Sequence, residues 1–168
     1  KHTSIRQLQQ HNIVDEETLK SYFKFVTVRN PYDSVVSAWA KKTNDYIARL
    51  DNPKSWIHKK PGYADSIRQA VGKSFSEWVA DTYPERIANG EVGSINRKYV
   101  KGTDSQMRYE NLQEDFEAIK AKVGLPSDLY IPQINITAGR DGEKDYHKFY
   151  DDRSRELVAE YFKQEIEL

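Results

Sequence analysis

Between Tyr22 and Trp39 the hydrophobic pattern changes period in a single step, and no other stretch constrains the fold as tightly. From Tyr22 to Val28 aromatic and β-branched residues alternate as in a strand. From Pro31 onward Tyr32, Val35, Val36 and Trp39 recur at i, i+3, i+4 and i+7, which is one apolar face of a helix. Arg29 and Asn30 fill the junction, and Pro31 suits the first helical position because the N–H it lacks would have no helical partner there. The pattern predicts a buried strand that ends on an arginine and feeds directly into a helix. Such a junction suits an anion. N–H groups at a helix start point outward with partial positive charge, and the planar Arg29 guanidinium is able to grip phosphate through two hydrogen bonds.

At about 100° per residue, Asn30, Ser34, Ser37 and Lys41 fall opposite the apolar face, which puts the Ser37 hydroxyl in line with the junction roughly two turns along. Arg29 and Ser37 are thereby able to flank one ligand. The alternative is an ordinary solvated face beside an arginine paired with a structural carboxylate.

The run Phe25-x-x-Val28-Arg29-Asn30-Pro31-Tyr32-Asp33-x-x-Val36-Ser37-Ala38-Trp39 resembles the 3′-phosphate-binding motif of sulfotransferases that use 3′-phosphoadenosine 5′-phosphosulfate (PAPS), especially their carbohydrate and bacterial branch. In that family an arginine and a serine eight positions later hold the 3′-phosphate, and Arg29 and Ser37 have that separation. Met107-Arg108-Tyr109-Glu110-Asn111-Leu112-x-x-Asp115-Phe116 is similar to the family's Arg-Tyr-Glu-Asn-Leu segment, and Tyr146 to Val158 is similar to its C-terminal helix. The resemblance implies an α/β, P-loop-NTPase-like three-layer fold, with a short parallel sheet flanked by helices, spanning residues 1–168 as one domain. It also implies PAPS as sulfuryl donor without a metal, and a hydroxyl-bearing acceptor of glycan type. A bacterial or viral, cytoplasmic setting is expected, because secretory-pathway members usually carry disulfides and this chain has no cysteine.

Tyr109 stands at the end of a second predicted parallel strand, Gln106 to Tyr109, and ligands of open α/β sheets bind beyond the carboxyl ends of the strands. By resemblance it lies near the adenosine; the alternative is a core tyrosine. Arg108 and Glu110 alternate to the other face, where an ion pair or helix-start contacts are expected. For the general base, Lys1-His2-Thr3-Ser4 resembles a Lys-His-Ala-Thr-like segment of bacterial sulfotransferases, which makes His2 the candidate. His58, or an acid between Thr43 and Gly62, is the alternative. The family's opening strand and phosphate loop, roughly Pro-Lys-x-Gly-x-Thr-Ser, finds no counterpart, so the fold is expected to be incomplete at its N-terminus. A non-catalytic module that binds a nucleotide or a sulfated glycan is therefore a rival function. A small-substrate kinase is disfavoured, since no Gly-x-x-x-x-Gly-Lys-Ser/Thr motif occurs.

The rest of the chain reads as support. Ser4 to Gln10, with Thr3 or Ser4 as its cap, and a piece opened by Asp15 are short helices, and residues 43–62 form a loop or lid whose Trp56, His58, Lys59 and Lys60 suit an anionic or sugar-like acceptor, or contact nothing. Ser74 and Glu77 make a capping-box pattern ahead of Phe75, Trp78 and Val79, and a helix from Leu112 to Val123 stops at Gly124. Residues 125–150 form an irregular region in which Arg140, Lys144 and Lys148 add local charge, and Asp151 caps a last helix with Leu157, Val158, Tyr161 and Phe162 inward. With 26 basic and 26 acidic residues the chain has no global field to draw nucleic acid or an anionic membrane, so any anion site must be locally basic. The lack of cysteine excludes disulfides, thiolate metal sites and cysteine nucleophiles, and no apolar run reaches the ~18 residues of a membrane span.

Overall fold

The computed structural model describes residues 3–132, 140, 143 and 145–167. In chain order the elements are α1 (Ile5–Gln10), α2 (Glu16–Ser21), β1 (Phe25–Val28), α3 (Pro31–Ala40), α4 (Tyr63–Ala70), α5 (Phe75–Thr82), α6 (Pro84–Ala88), α7 (Arg97–Val100), β2 (Ser105–Arg108), α8 (Leu112–Val123), α9 (Asp152–Tyr161) and α10 (Lys163–Ile166). The fold is α/β, with β1 and β2 forming a short parallel pair and helices on either side of it in sequence. Two compact units share the chain: Lys1–Asn30 with Ser94–Gln133 and Gln164–Leu168, and Pro31–Gly93 with Ile134–Lys163. Among the described residues no helix is long and apolar enough to cross a membrane.

The first unit is organised by the strand pair. Phe25 stands opposite Ser105 and Val28 opposite Arg108, so the two strands end level. Its leading helices begin on side-chain caps as the sequence predicts. Ser4 Oγ accepts the Gln7 N–H while Gln7 Oε1 accepts the Ser4 N–H, and Asp15 accepts the Thr18 N–H at 2.7 Å. The strand is shorter and wetter than its pattern suggests. Tyr22 still donates its N–H to the Thr18 carbonyl at 3.1 Å and so closes α2 instead of opening β1. Lys24 then fixes the start of the pairing: its ammonium reaches the Leu19 and Tyr22 carbonyls and Asp104, while its own N–H donates to Asp104 at 2.7 Å. Phe25 is 44% exposed and no residue of β1 is buried, whereas Met107 of β2 is. The expectation of a buried strand is therefore corrected: each strand has one paired neighbour among the described residues, and little packs over β1.

α8 ends where expected, on Gly124 at a φ of 72°, a left-handed conformation that glycine adopts without a Cβ clash. The buried Lys120 is satisfied by Glu117 and by the Ser127 and Leu129 carbonyls at 2.8 and 2.7 Å, and it folds the following turn back on the helix.

The second unit has an aromatic core. α3 turns Val35, Val36 and Ala40 fully inward, with Tyr32 and Trp39 half-buried at its ends. Trp39 meets Phe75 and Phe149 edge-on, Tyr150 meets both Tyr32 and Phe75, and the Tyr150 hydroxyl donates to the Tyr32 carbonyl at 2.9 Å. Burial, above all, pushes the Tyr150 phenol far up from its ordinary pKa, so it stays a neutral donor. α5 starts with the predicted Ser74–Glu77 capping box and buries Phe75, Trp78 and Val79. α5 ends at Thr82, and Pro84 occupies the first position of α6. α9 packs on α5, capped by Asp151, with Val158, Tyr161 and Phe162 buried and Leu157 only half so. Gly93 donates its N–H to the Tyr161 carbonyl at 2.7 Å, and a Cβ there would sit 2.3 Å from the Phe162 ring, which restricts the position to glycine.

Candidate functional site

In the first unit the level carboxyl ends of β1 and β2 bring Arg29 and Tyr109 together. The Arg29 guanidinium carbon lies 4.2 Å from the centroid of the Tyr109 ring, a cation–π contact that holds a permanently charged fork against an aromatic face. Tyr109 is 46% exposed, which removes the alternative of a core tyrosine. Its neighbours behave as the alternation predicts. Arg108 turns the other way and grips Asp115 at the start of α8, a hydrogen-bonded pairing that holds the Asp115 carboxyl down to about 2. Glu110 accepts the Asn30 N–H at 2.8 Å.

The backbone of Arg29 is held by a residue that the sequence pattern left unmarked. Asn96 accepts the Arg29 N–H through Oδ1 at 3.3 Å and donates from Nδ2 to the Arg29 carbonyl at 2.9 Å, so one amide brackets the peptide groups beyond the end of β1. Asn96 is buried, and its own N–H donates to the buried Glu165 at 2.8 Å. The Arg97 N–H, at 2.9 Å, and the Ser94 hydroxyl, at 3.3 Å, reach the other Glu165 oxygen, while the Arg97 guanidinium bonds Gln164. A carboxylate bridging successive N–H groups where α7 begins is favourably placed in the field of that turn. These partners lie 67 to 71 positions apart in sequence, and no local period links them.

In the second unit Ser37 is 3% exposed, whereas Ala38 beside it is exposed. A solvated polar face is thereby corrected: Ser34 and Lys41 are half-buried, and Ser37 is enclosed. Asp33, one turn earlier, pairs with Arg140 at 2.6 Å, with side-chain exposures of 7% and 11%. Arg140 is thus no loose loop charge. Lys148 pairs with Glu143 at 2.5 Å, while Lys144 lies outside the described residues. His2, the candidate base, also lies outside them. His58 has its Nε2 3.2 Å from the Leu50 carbonyl, a bond in which the ring acts as donor and braces its own segment.

That segment, predicted as a loop or lid, is a series of short turns: a π-helical turn over Lys41–Asp45 and 3₁₀ turns over Ile47–Arg49 and Trp56–Lys59. Tyr46, Trp56 and Tyr63 make mutual ring contacts at 5.1 to 6.2 Å, with Trp56 43% exposed. Lys60 lies 4.8 Å from the Tyr63 ring centre and Arg49 5.9 Å from that of Tyr46. Lys42 donates to the Ser66 hydroxyl at 2.8 Å between the Tyr63 and Trp78 rings. Burial first, then Arg86 and Lys60, push its ammonium down to about 8. Residues 41–60 hold six basic side chains (Lys41, Lys42, Arg49, Lys54, Lys59, Lys60) against Asp45 and Asp51, a local excess in a chain of zero net charge. No cluster of metal-ligating side chains occurs among the described residues.

A family model described as the sulfotransferase family matches residues 1–168. No curated protein and no solved structure matches the chain significantly.

Proposed function

Because the chain belongs to the sulfotransferase family, we propose that it moves a sulfuryl group from PAPS to a hydroxyl of a carbohydrate or similar polar acceptor, on a P-loop-NTPase-like framework spanning residues 1–168. The observation that carries the nucleotide reading is the Arg29 guanidinium laid on the Tyr109 ring at the carboxyl ends of two parallel strands, where α/β sheets take their ligands. The residues present fit a nucleotide bisphosphate: a charged fork for phosphate and an aromatic face beside it. Arg29 and Ser37 hold the 3′-phosphate, the support being their eight-residue separation in the Arg-Asn-Pro-Tyr-Asp-x-x-Val-Ser run, and Tyr109 borders the adenosine.

Bound PAPS supplies an activated sulfuryl group: the acceptor oxygen bonds to sulfur while the bond from sulfur to the phosphate oxygen breaks, leaving adenosine 3′,5′-bisphosphate. His2 takes the proton of the acceptor hydroxyl as that bond forms. Arg29, Ser37 and Tyr109 orient the nucleotide, and orientation with fixed charge accounts for most of the gain in transfers of this type. The acceptor class is supported by the Tyr46–Trp56–Tyr63 cluster, whose ring faces suit sugar stacking and whose ammonium groups suit an anionic substituent.

In the full-length protein, Arg29→Ala is expected to weaken adenosine 3′,5′-bisphosphate by about 1.5–3 kcal/mol, as loss of a charged hydrogen-bond partner does. Calorimetry giving equal affinities would remove Arg29 from the site. Trp56→Ala is expected to raise the acceptor KM several-fold, about the worth of one ring contact, and to leave nucleotide affinity alone; an unchanged KM across glycan acceptors counts against the cluster. Nucleotide binding with no transfer to any hydroxyl acceptor would favour a binding module instead.

A further inference from the structure

We infer that Asn96, seated on Glu165, is the positioning residue that sets Arg29 for phosphate binding; the inference rests on the proposed role of Arg29. β1 ends at Val28, so the ladder that fixes Phe25 to Val28 does not extend to the next peptide groups. The Asn96 amide takes over there, accepting from the Arg29 N–H and donating to the Arg29 carbonyl as a neighbouring strand would. Such a bracket fixes the direction in which the Arg29 side chain leaves the backbone, and the Tyr109 ring fixes where its guanidinium comes to rest.

Asn96 is itself immobilised. Glu165 spreads its two oxygens over the Asn96 and Arg97 N–H groups and the Ser94 hydroxyl, and all of these are buried or partly buried. The line from Glu165 through Asn96 to Arg29 touches no part of the nucleotide reading except through Arg29. A charged group held by such a shell binds without first having to be ordered, and a displacement on the order of 1 Å is enough to cost binding heavily. This role also accounts for a buried carboxylate whose partners are backbone and hydroxyl donors at the start of a single-turn helix, an arrangement that packing alone does not require.

The test is a double-mutant cycle in the full-length protein, read by calorimetry with adenosine 3′,5′-bisphosphate and by melting of the nucleotide-free proteins. Asn96→Ala is expected to weaken the nucleotide about tenfold, and to add less than about twofold once Arg29 is already alanine, because the two changes act through one group. An Asn96→Ala protein with full affinity overturns the inference, and so does an equal loss in both backgrounds, which marks general structural damage. Should Asn96→Ala fail to fold, Glu165→Gln is carried through the same cycle: a loss confined to the Arg29 background supports the inference, and its absence overturns it. If Arg29→Ala alone leaves affinity intact, the nucleotide reading of Arg29 fails and takes this inference with it, an outcome distinct from the failure of Asn96 alone.

Discussion

Asp33→Ala is expected to lower stability by about 3–5 kcal/mol, the usual cost of removing one member of a buried ion pair. The Asp33–Arg140 pair is 2.6 Å apart with both side chains almost fully enclosed, so solvent does little to screen what remains when the carboxylate is removed. Asp33 also stands in the first turn of α3, where its negative charge suits the field of the helix start. Urea unfolding of the single variant and of Asp33→Ala/Arg140→Met separates the terms: the double replacement is expected to recover much of the loss, because the buried guanidinium is removed together with the carboxylate that offset it. A loss below about 1 kcal/mol in the single variant would instead be the behaviour of a solvent-screened surface pair.

His2→Ala is expected to bind adenosine 3′,5′-bisphosphate as tightly as the unaltered protein and to turn over roughly a hundredfold or more slowly, the usual loss when a positioned base is removed. Its support is the resemblance of Lys1-His2-Thr3-Ser4 to a bacterial sulfotransferase segment together with membership of the family over residues 1–168. His58 is a weaker rival because its Nε2 is engaged with the Leu50 carbonyl. Initial rates with saturating PAPS and a hydroxyl acceptor decide the matter, and an unchanged rate constant dismisses His2 as the base.

Local elements were legible wherever a chemical rule acts over a few residues. Ser4, Asp15, Ser74 and Asp151 each cap the helix they precede, and Gly124 ends α8, because a cap is decided by one side chain and the N–H or C=O groups within a turn of it. Arg108 found its partner Asp115 only seven residues on, at the start of α8, whereas Glu110 reaches the Asn30 N–H 80 positions away, a contact no local rule fixes. Less was legible where burial decides. Alternation in Tyr22 to Val28 marked a strand but not its exposure, since Phe25 is open to solvent for want of cover. Helical spacing placed Ser37 opposite the apolar stripe, yet it is enclosed, because a helix with neighbours on more than one side has no free polar face. α4 escaped notice behind Pro61 and Gly62, which mark a turn and also begin the helix.

By itself the sequence determined the strand-to-helix junction at Arg29, a parallel partner strand placed at Gln106 to Tyr109 and found one residue earlier at Ser105–Arg108, the family, and the absence of thiol chemistry, all of which follow from residue type and spacing over short stretches. Tertiary structure alone decided that Asn96 and Glu165 clamp Arg29, that Asp33 answers Arg140, and that Lys42 is pressed among rings and other cations. Those contacts join residues far apart along the chain, and only chain reversal and desolvation set which distant groups meet and how strongly they then interact.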